Sequence, residues 1–317
     1  VSARALRAQG GDAAEAIRAR LQALHEGGFG RRLTAHDEAL WGDDPAHRKV
    51  AANRLGWLDA PRTLHAQAAA LAAFAAEISA EGFTHAVLLG MGGSSLAPEV
   101  FRRTFGVRPG HVELSVLDNT SPAAVKAVAE GHDLSRTLFI VASKSGGTIE
   151  VTSFEKYFWE SVSAVRGAGA GRAFVAITDP GTSLAQLATT RGYRRTFTNP
   201  PDIGGRYSAL SYFGLVPAAL IGADVGALLA GSHAELDALA AGGGEGLALG
   251  AALGELARRG RDKLTIVAGP ALASFGVWIE QLVAESTGKS GRGIVPVAGE
   301  PLAAPAAYGR DRVFVAM

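Results

Sequence analysis

Leu138-Phe139-Ile140-Val141-Ala142 runs without a break into Ser143-Lys144-Ser145-Gly146-Gly147-Thr148. Five consecutive apolar residues leave no face for water, so the run reads as a short strand buried on both sides. The next six residues carry three hydroxyls, one ammonium and two glycines. From Ile149 to Val165 the apolar residues recur at helical spacing. A buried strand, a polar turn and a helix form the repeating unit of a parallel sheet. The same unit recurs outward from this one. Apolar runs at Ala86–Leu89, Val112–Leu117, Phe174–Ile177 and Leu264–Val267 alternate with helical stretches at Leu96–Phe105, Ala123–Ala129 and Leu184–Thr190. Fully apolar strands alternating with helices predict an α/β fold whose sheet is covered on both faces.

The composition fits that class. The 317 residues are 48% hydrophobic and 19% charged, enough chain for two cores and too apolar for disorder. The absence of Cys excludes a disulfide scaffold. A formal net charge of +1 gives no concentrated basic face for nucleic acid. No run reaches the roughly 18 apolar residues needed to cross a bilayer, and Glu77 interrupts the Ala-rich stretch Gln67–Ser79. With no signal-peptide core at Val1-Ser2-Ala3-Arg4, a soluble cytoplasmic protein is expected, with no membrane and no nucleic-acid partner. Arg outnumbers Lys 25 to 6, so a Lys carries more information than an Arg.

Three segments are expected. Residues 1–60 read as short helices, 61–222 as the first sheet domain, and 223–317 as linking helices followed by the start of a second sheet. The chain begins without Met and ends on the strand-like run Val313–Met317, which predicts a C-terminally incomplete sequence.

In open parallel sheets ligands bind beyond the carboxyl ends of the strands, so the loops there are the candidates for chemistry. Gly90-Met91-Gly92-Gly93-Ser94-Ser95 follows Ala86–Leu89 and opens a helix, where free N–H groups and the helix dipole suit a phosphate. A dinucleotide fingerprint would have Gly where Ser95 stands, and no P-loop pattern occurs. A plain turn that needs Gly for its geometry is the alternative. The loop Ser143–Thr148 is richer. Its hydroxyls donate to phosphate oxygens and Lys144 adds positive charge; the alternative is an N-cap with a solvated Lys. Gly204-Gly205-Arg206-Tyr207-Ser208 presents a guanidinium on a turn whose Gly pair leaves room for a ligand. Alone, Arg206 reads as a surface residue of an Arg-rich chain. Glu285-Ser286-Thr287-Gly288-Lys289 reads as a helix C-terminus with a capping Gly, and Glu300, between Gly299 and Pro301, as a turn residue after an apolar run.

Taken together and in order, these segments resemble the glucose-6-phosphate isomerase family. Phe139–Glu150 is similar to that family's signature, and Gly90–Ser95, Gly204–Ser208 and Glu285–Lys289 follow the same pattern over roughly residues 55 to 317. The likeness is to bacterial forms that stand alone or are fused behind a transaldolase. It implies sugar-isomerase (SIS) domains: a flavodoxin-like parallel sheet with flanking helices, plus the start of a second SIS domain. It implies interconversion of glucose 6-phosphate and fructose 6-phosphate through a cis-enediolate, with no cofactor and no metal. A homodimer is implied, and a fusion to a transaldolase domain is a further partner of that kind. Carried over by residue, Ser143, Lys144, Ser145 and Thr148 hold the phosphate, and Gly93, Ser94 and Gly205 line the sugar. Arg206 stabilises the enediolate, Glu150 orients Arg206, and Glu300 is the base. The family's ring-opening His and C-terminal Lys have no matching motif in this sequence.

Other readings weighed against this one are an isomerase that also accepts mannose 6-phosphate, a non-catalytic sugar-phosphate sensor, and a dinucleotide oxidoreductase with Asp118 at a ribose. Mixed charge in residues 1–60 disfavours a DNA-binding sensor, and the missing Gly at Ser95 disfavours the oxidoreductase.

Overall fold

A computed structural model of the chain describes residues 11–317; the first ten residues of the expected N-terminal helical segment lie outside the described residues. The chain forms two compact units. One is Asp59–Leu229, and the other joins the described residues up to Leu58 with Ala230–Met317.

The first unit is built on five parallel strands: β1 (His85–Gly90), β2 (Glu113–Leu117), β3 (Thr137–Ala142), β4 (Phe174–Thr178) and β5 (Arg195–Thr198). Their order is β2-β1-β3-β4-β5, the flavodoxin-like arrangement expected from the sequence. All six residues of β3 are buried, which requires helices on both faces of the sheet. Phe139 stacks on Phe158 at 4.8 Å and on Phe174 at 5.2 Å, joining β3, β4 and the helix Ile149–Arg166. Each such fully buried ring contributes roughly 1.5–3 kcal/mol. That helix also buries Val151, Phe154, Glu155 and Val162 along one side.

Glu155 is a carboxylate in this apolar setting, only 1% exposed. It pairs with Arg191, whose guanidinium lies over the Trp159 ring, and accepts a 2.6 Å hydrogen bond from the Tyr193 hydroxyl. Burial, then the neighbouring Glu155 carboxylate, push the Tyr193 phenol well above its ordinary pKa.

Strand β5 has no counterpart in the sequence reading. It is four residues long at the sheet edge, and only Phe197 is buried, edge-on to Phe74 at 5.2 Å. Arg194 anchors its start, with bonds to Glu77 at 2.6 Å and Glu81 at 2.8 Å. Ahead of β1 the chain is helical in three pieces: Ala60–Thr63, a single turn at His65–Gln67, and Ala68–Ala80.

The second unit carries β6 (Lys263–Val267), β7 (Val295–Ala298) and β8 (Arg312–Ala316) in the parallel order β7-β6-β8. Here the three expected segments regroup. The described N-terminal helices do not stand apart, because the helix Ala14–Glu26 packs on the helix Glu245–Arg258 and Arg20 reaches Glu255 at 3.3 Å. Leu55, Leu58 and Leu236 form a cluster there with Leu33 and Trp57. Gly222, at φ +81°, is a turn within the first unit and not its edge. Among the described residues no helix is long and apolar enough to cross a membrane.

Candidate functional site

In the β2-β1-β3-β4-β5 order, the connections from β1 and β3 leave in opposite directions. The switch point is therefore between these two strands, and in open parallel sheets ligands bind beyond the carboxyl ends at such a point. The two loops singled out in the sequence are the ones that flank it.

After β1 the chain makes a tight turn at Gly92–Ser94 and enters the helix Leu96–Phe105. Gly92, at φ +54°, has the left-handed conformation that the turn needs. Ser95 is fully buried and donates to the Gly92 carbonyl at 3.0 Å, so its hydroxyl serves the turn. Ser94 is nearly buried beside it. Gly93 lies directly against another backbone: a Cβ there would stand 2.2 Å from the Gly205 carbonyl oxygen. Ser208 closes the contact, its hydroxyl lying 3.1 Å from the Gly93 carbonyl and 2.6 Å from the Gly205 carbonyl. The structure thus brings Gly93, Ser94, Gly205 and Arg206 together. The Arg206 guanidinium lies over the Tyr207 ring, 4.9 Å from its centre.

After β3 the Ser143–Thr148 loop folds on itself. The Ser143 and Thr148 hydroxyls are 3.0 Å apart, and the Ser145 hydroxyl accepts from the Gly147 amide at 3.3 Å. Thr148 stands at the N-cap of Ile149–Arg166 in an extended conformation, yet its side chain makes no capping bond. The first-turn amides of an 18-residue helix therefore have no side-chain cap from Thr148, and they point with the positive end of the helix dipole. Hydroxyls beside such a helix start form a cradle for a phosphate. Glu150 sits in that first turn.

Lys144 does not stand open in the cradle. Its ammonium pairs with Asp179 and donates to the Pro201 carbonyl at 2.9 Å. The turn after β4 supports the loop at three further points. The Asp179 amide donates to the Lys144 carbonyl at 3.2 Å, and the Ser183 hydroxyl to the Gly146 carbonyl at 2.8 Å. Gly146, at φ +71°, lies where a Cβ would meet the Thr182 Cβ at 2.6 Å. Asp179, Thr182 and Ser183 went unnoticed in the sequence. Thr178-Asp179-Pro180-Gly181-Thr182-Ser183 is itself a hydroxyl-rich turn after an apolar strand, and that signal marks it.

Glu300 belongs to the second unit. It follows β7 just past the strand's carboxyl end, and its two oxygens accept from Arg312 at 2.8 Å and 3.1 Å. Arg312 also donates to the Thr265 hydroxyl on β6 at 2.6 Å.

A family model described as phosphoglucose isomerase matches residues 72–292, which include both loops and the Arg206 turn. The chain belongs to the phosphoglucose isomerase family. Among curated relatives within this family, the glucose-6-phosphate isomerase of Rubrobacter xylanophilus is 34% identical over 253 residues, covering 76% of this chain and 58% of that protein. A glucose-6-phosphate isomerase of Thermus thermophilus is 32% identical over 272 residues, 84% of this chain and 64% of that protein. The chain thus spans 58% and 64% of the length of these two relatives. A hypothetical protein from Thermus thermophilus has a similar crystal structure, with a TM-score of 0.71 and 28% identity over 90% of this chain and 66% of that one. The glucose-6-phosphate isomerase of Chlamydia trachomatis shares the fold at a TM-score of 0.66 and 24% identity, over 90% of this chain and 58% of that one.

Proposed function

We propose that this chain carries the sugar-phosphate site of an aldose–ketose isomerase that interconverts glucose 6-phosphate and fructose 6-phosphate. The observation that carries this reading is the hydroxyl cradle at the start of Ile149–Arg166, set at the sheet's switch point in a member of the phosphoglucose isomerase family.

The chemistry divides among the residues as follows. Ser143, Ser145, Thr148 and the first-turn amides receive the phosphate, with Lys144 at the edge of the cradle. Gly93, Ser94 and Gly205 line the sugar. A base removes the proton from C2 of the open-chain aldose, leaving a cis-enediolate, and returns it to C1 to give the ketose. The oxidation at C2 and the reduction at C1 occur within one molecule, so the step needs no external oxidant. Glu300 is the base, and Arg206 stabilises the enediolate oxygens with Glu150 orienting it. On the same reading the protein is cytoplasmic and a homodimer, with mannose 6-phosphate as the epimeric substrate to compare.

The test is calorimetric titration with fructose 6-phosphate, combined with turnover of wild type and Arg206→Ala. Wild type is expected to bind the ester. The Arg206→Ala variant is expected to lose turnover by about 100-fold or more while its affinity changes less than about threefold. No binding by wild type overturns the sugar-phosphate reading. Equal losses of binding and turnover overturn the role given to Arg206.

A further inference from the structure

The ammonium of Lys144 is the one feature of the cradle whose position the phosphate reading leaves unexplained. Lys144 leaves the backbone at the end of β3, and its side chain reaches Asp179 after β4 and the Pro201 carbonyl after β5. Its side chain is 27% exposed and that of Asp179 13%, so solvent screens the pair only in part. Pro201 belongs to the strap that leaves β5 and leads to Arg206. The strap is fixed at its start by the Asn199 amide, which donates to Thr178 at 2.8 Å, and at its end by the Ser208 hydroxyl on Gly93. Between these points Ile203 is buried, and Lys144 supplies the charged tether.

We propose that Asp179 is a positioning residue: it holds the Lys144 ammonium against the Pro201 carbonyl, so that the strap carrying Arg206 is fixed over the Ser143–Thr148 cradle. This rests on reading the cradle and Arg206 as a sugar-phosphate site. An ammonium held by a carboxylate on one side and a carbonyl on the other has two of its three N–H donors committed. It lends the cradle positive potential without a direct bond to the phosphate. The phosphate is then carried by the hydroxyls and the first-turn amides, while Lys144 joins the cradle to the strap. Asp179 is in turn set by its own backbone, through its amide on the Lys144 carbonyl and its carbonyl on the Thr182 hydroxyl at 3.2 Å. The carboxylate and the loop it serves therefore move as one piece.

The experiment measures two quantities on wild type, Asp179→Asn, Asp179→Glu and Lys144→Met. One is the affinity for inorganic phosphate and for fructose 6-phosphate, by calorimetry. The other is amide hydrogen exchange over residues 199–210. In Asp179→Asn the released ammonium turns to the anion, so inorganic phosphate is expected to bind about three- to tenfold tighter, with a steeper salt dependence. Strap exchange is expected to rise about tenfold at the same time, and Asp179→Glu to restore both values toward wild type. A merely structural Asp179 would instead weaken binding together with stability. Lys144→Met is expected to speed strap exchange and to weaken phosphate binding by at most about threefold, since no direct bond is lost; this variant decides the matter if Asp179→Asn does not fold. Unchanged strap exchange in either folded variant overturns the proposal, as does a tenfold loss of phosphate affinity in Lys144→Met. If wild type binds neither phosphate nor ester, the sugar-phosphate reading fails by itself, and strap exchange still decides whether Asp179 fixes the strap.

Discussion

Gly93 and Gly205 touch backbone to backbone: a Cβ on Gly93 would lie 2.2 Å from the Gly205 carbonyl oxygen and 2.9 Å from the Arg206 amide nitrogen. The turn that presents Arg206 thus rests on the loop after β1 at a spacing only glycine permits. Gly93→Ala must push the two loops apart, because the atoms it meets are backbone and cannot rotate away. A destabilisation of about 1–3 kcal/mol is expected, with at least a tenfold loss of fructose 6-phosphate affinity. Gly205→Ala is the control for stability, since a Cβ there meets nothing within 4 Å. Thermal melts and calorimetric titration compare the two; equal behaviour would show that the contact is not the one that positions Arg206.

Ser143, buried just past β3, and Thr148 hold their hydroxyls 3.0 Å apart. On the proposed reading, Ser143→Ala and Thr148→Ala each remove one donor to the phosphate and leave the fold's apolar contacts in place. Each is expected to weaken inorganic phosphate binding by about 0.5–1.5 kcal/mol, roughly two- to thirteenfold, with melting temperature nearly unchanged. A large drop in melting temperature with unaltered affinity would assign the pair to the fold alone.

The sheet was legible wherever burial was complete. Residues such as Leu88, Ile140 and Val175 are buried whichever face they point to, so their strands appear as unbroken apolar runs. Strand β5 was not, because it buries Phe197 alone and is anchored by Arg194 to glutamates of a distant helix. The Ser143–Thr148 loop stood out because its hydroxyls and ammonium lie within six successive residues. Asp179 and the strap could not, because Lys144, Asp179 and Pro201 are brought together only by the order of β3, β4 and β5. The grouping of the N-terminal helices with residues 230–317 was hidden for the same reason: Arg20 and Glu255 meet only in space.

Glu300 has two separable duties to test. Both of its oxygens are engaged by Arg312, which also holds Thr265, so it can act as a strut between β7 and β8. As the base it must instead take the C2 proton. Glu300→Gln keeps the shape and one good acceptor for Arg312. Loss of isomerisation by about 100-fold or more, with fructose 6-phosphate affinity within about threefold, is expected of the base. A lowered melting temperature with turnover intact would make Glu300 a strut only. Solvent deuterium incorporation at C2 of the substrate reads the proton transfer directly.

Tyr193 gives a prediction about alkaline stability. Its neutral hydroxyl donates to Glu155 at 2.6 Å, and burial together with that carboxylate pushes the phenol's pKa up in the folded chain. The unfolded phenol titrates near its ordinary value, about 10. The folded state therefore binds this proton more tightly. The stability linked to it is fully present below pH 10 or so and falls as pH rises above that, by up to about 1.4 kcal/mol per pH unit. Tyr193→Phe removes both the hydrogen bond and the titration. It is expected to cost about 1.5–3 kcal/mol at neutral pH, where the hydroxyl bonds a charged partner. Above about pH 10 the gap between wild type and variant must close, since only wild type loses a proton on unfolding. Urea unfolding of both proteins from pH 8 to 11 measures that gap, and the other tyrosines cancel in the difference. A gap constant across this range would mean that the phenol is not held neutral by burial and Glu155, and the account of how Glu155 is tolerated on the buried side of the cradle helix would fall with it.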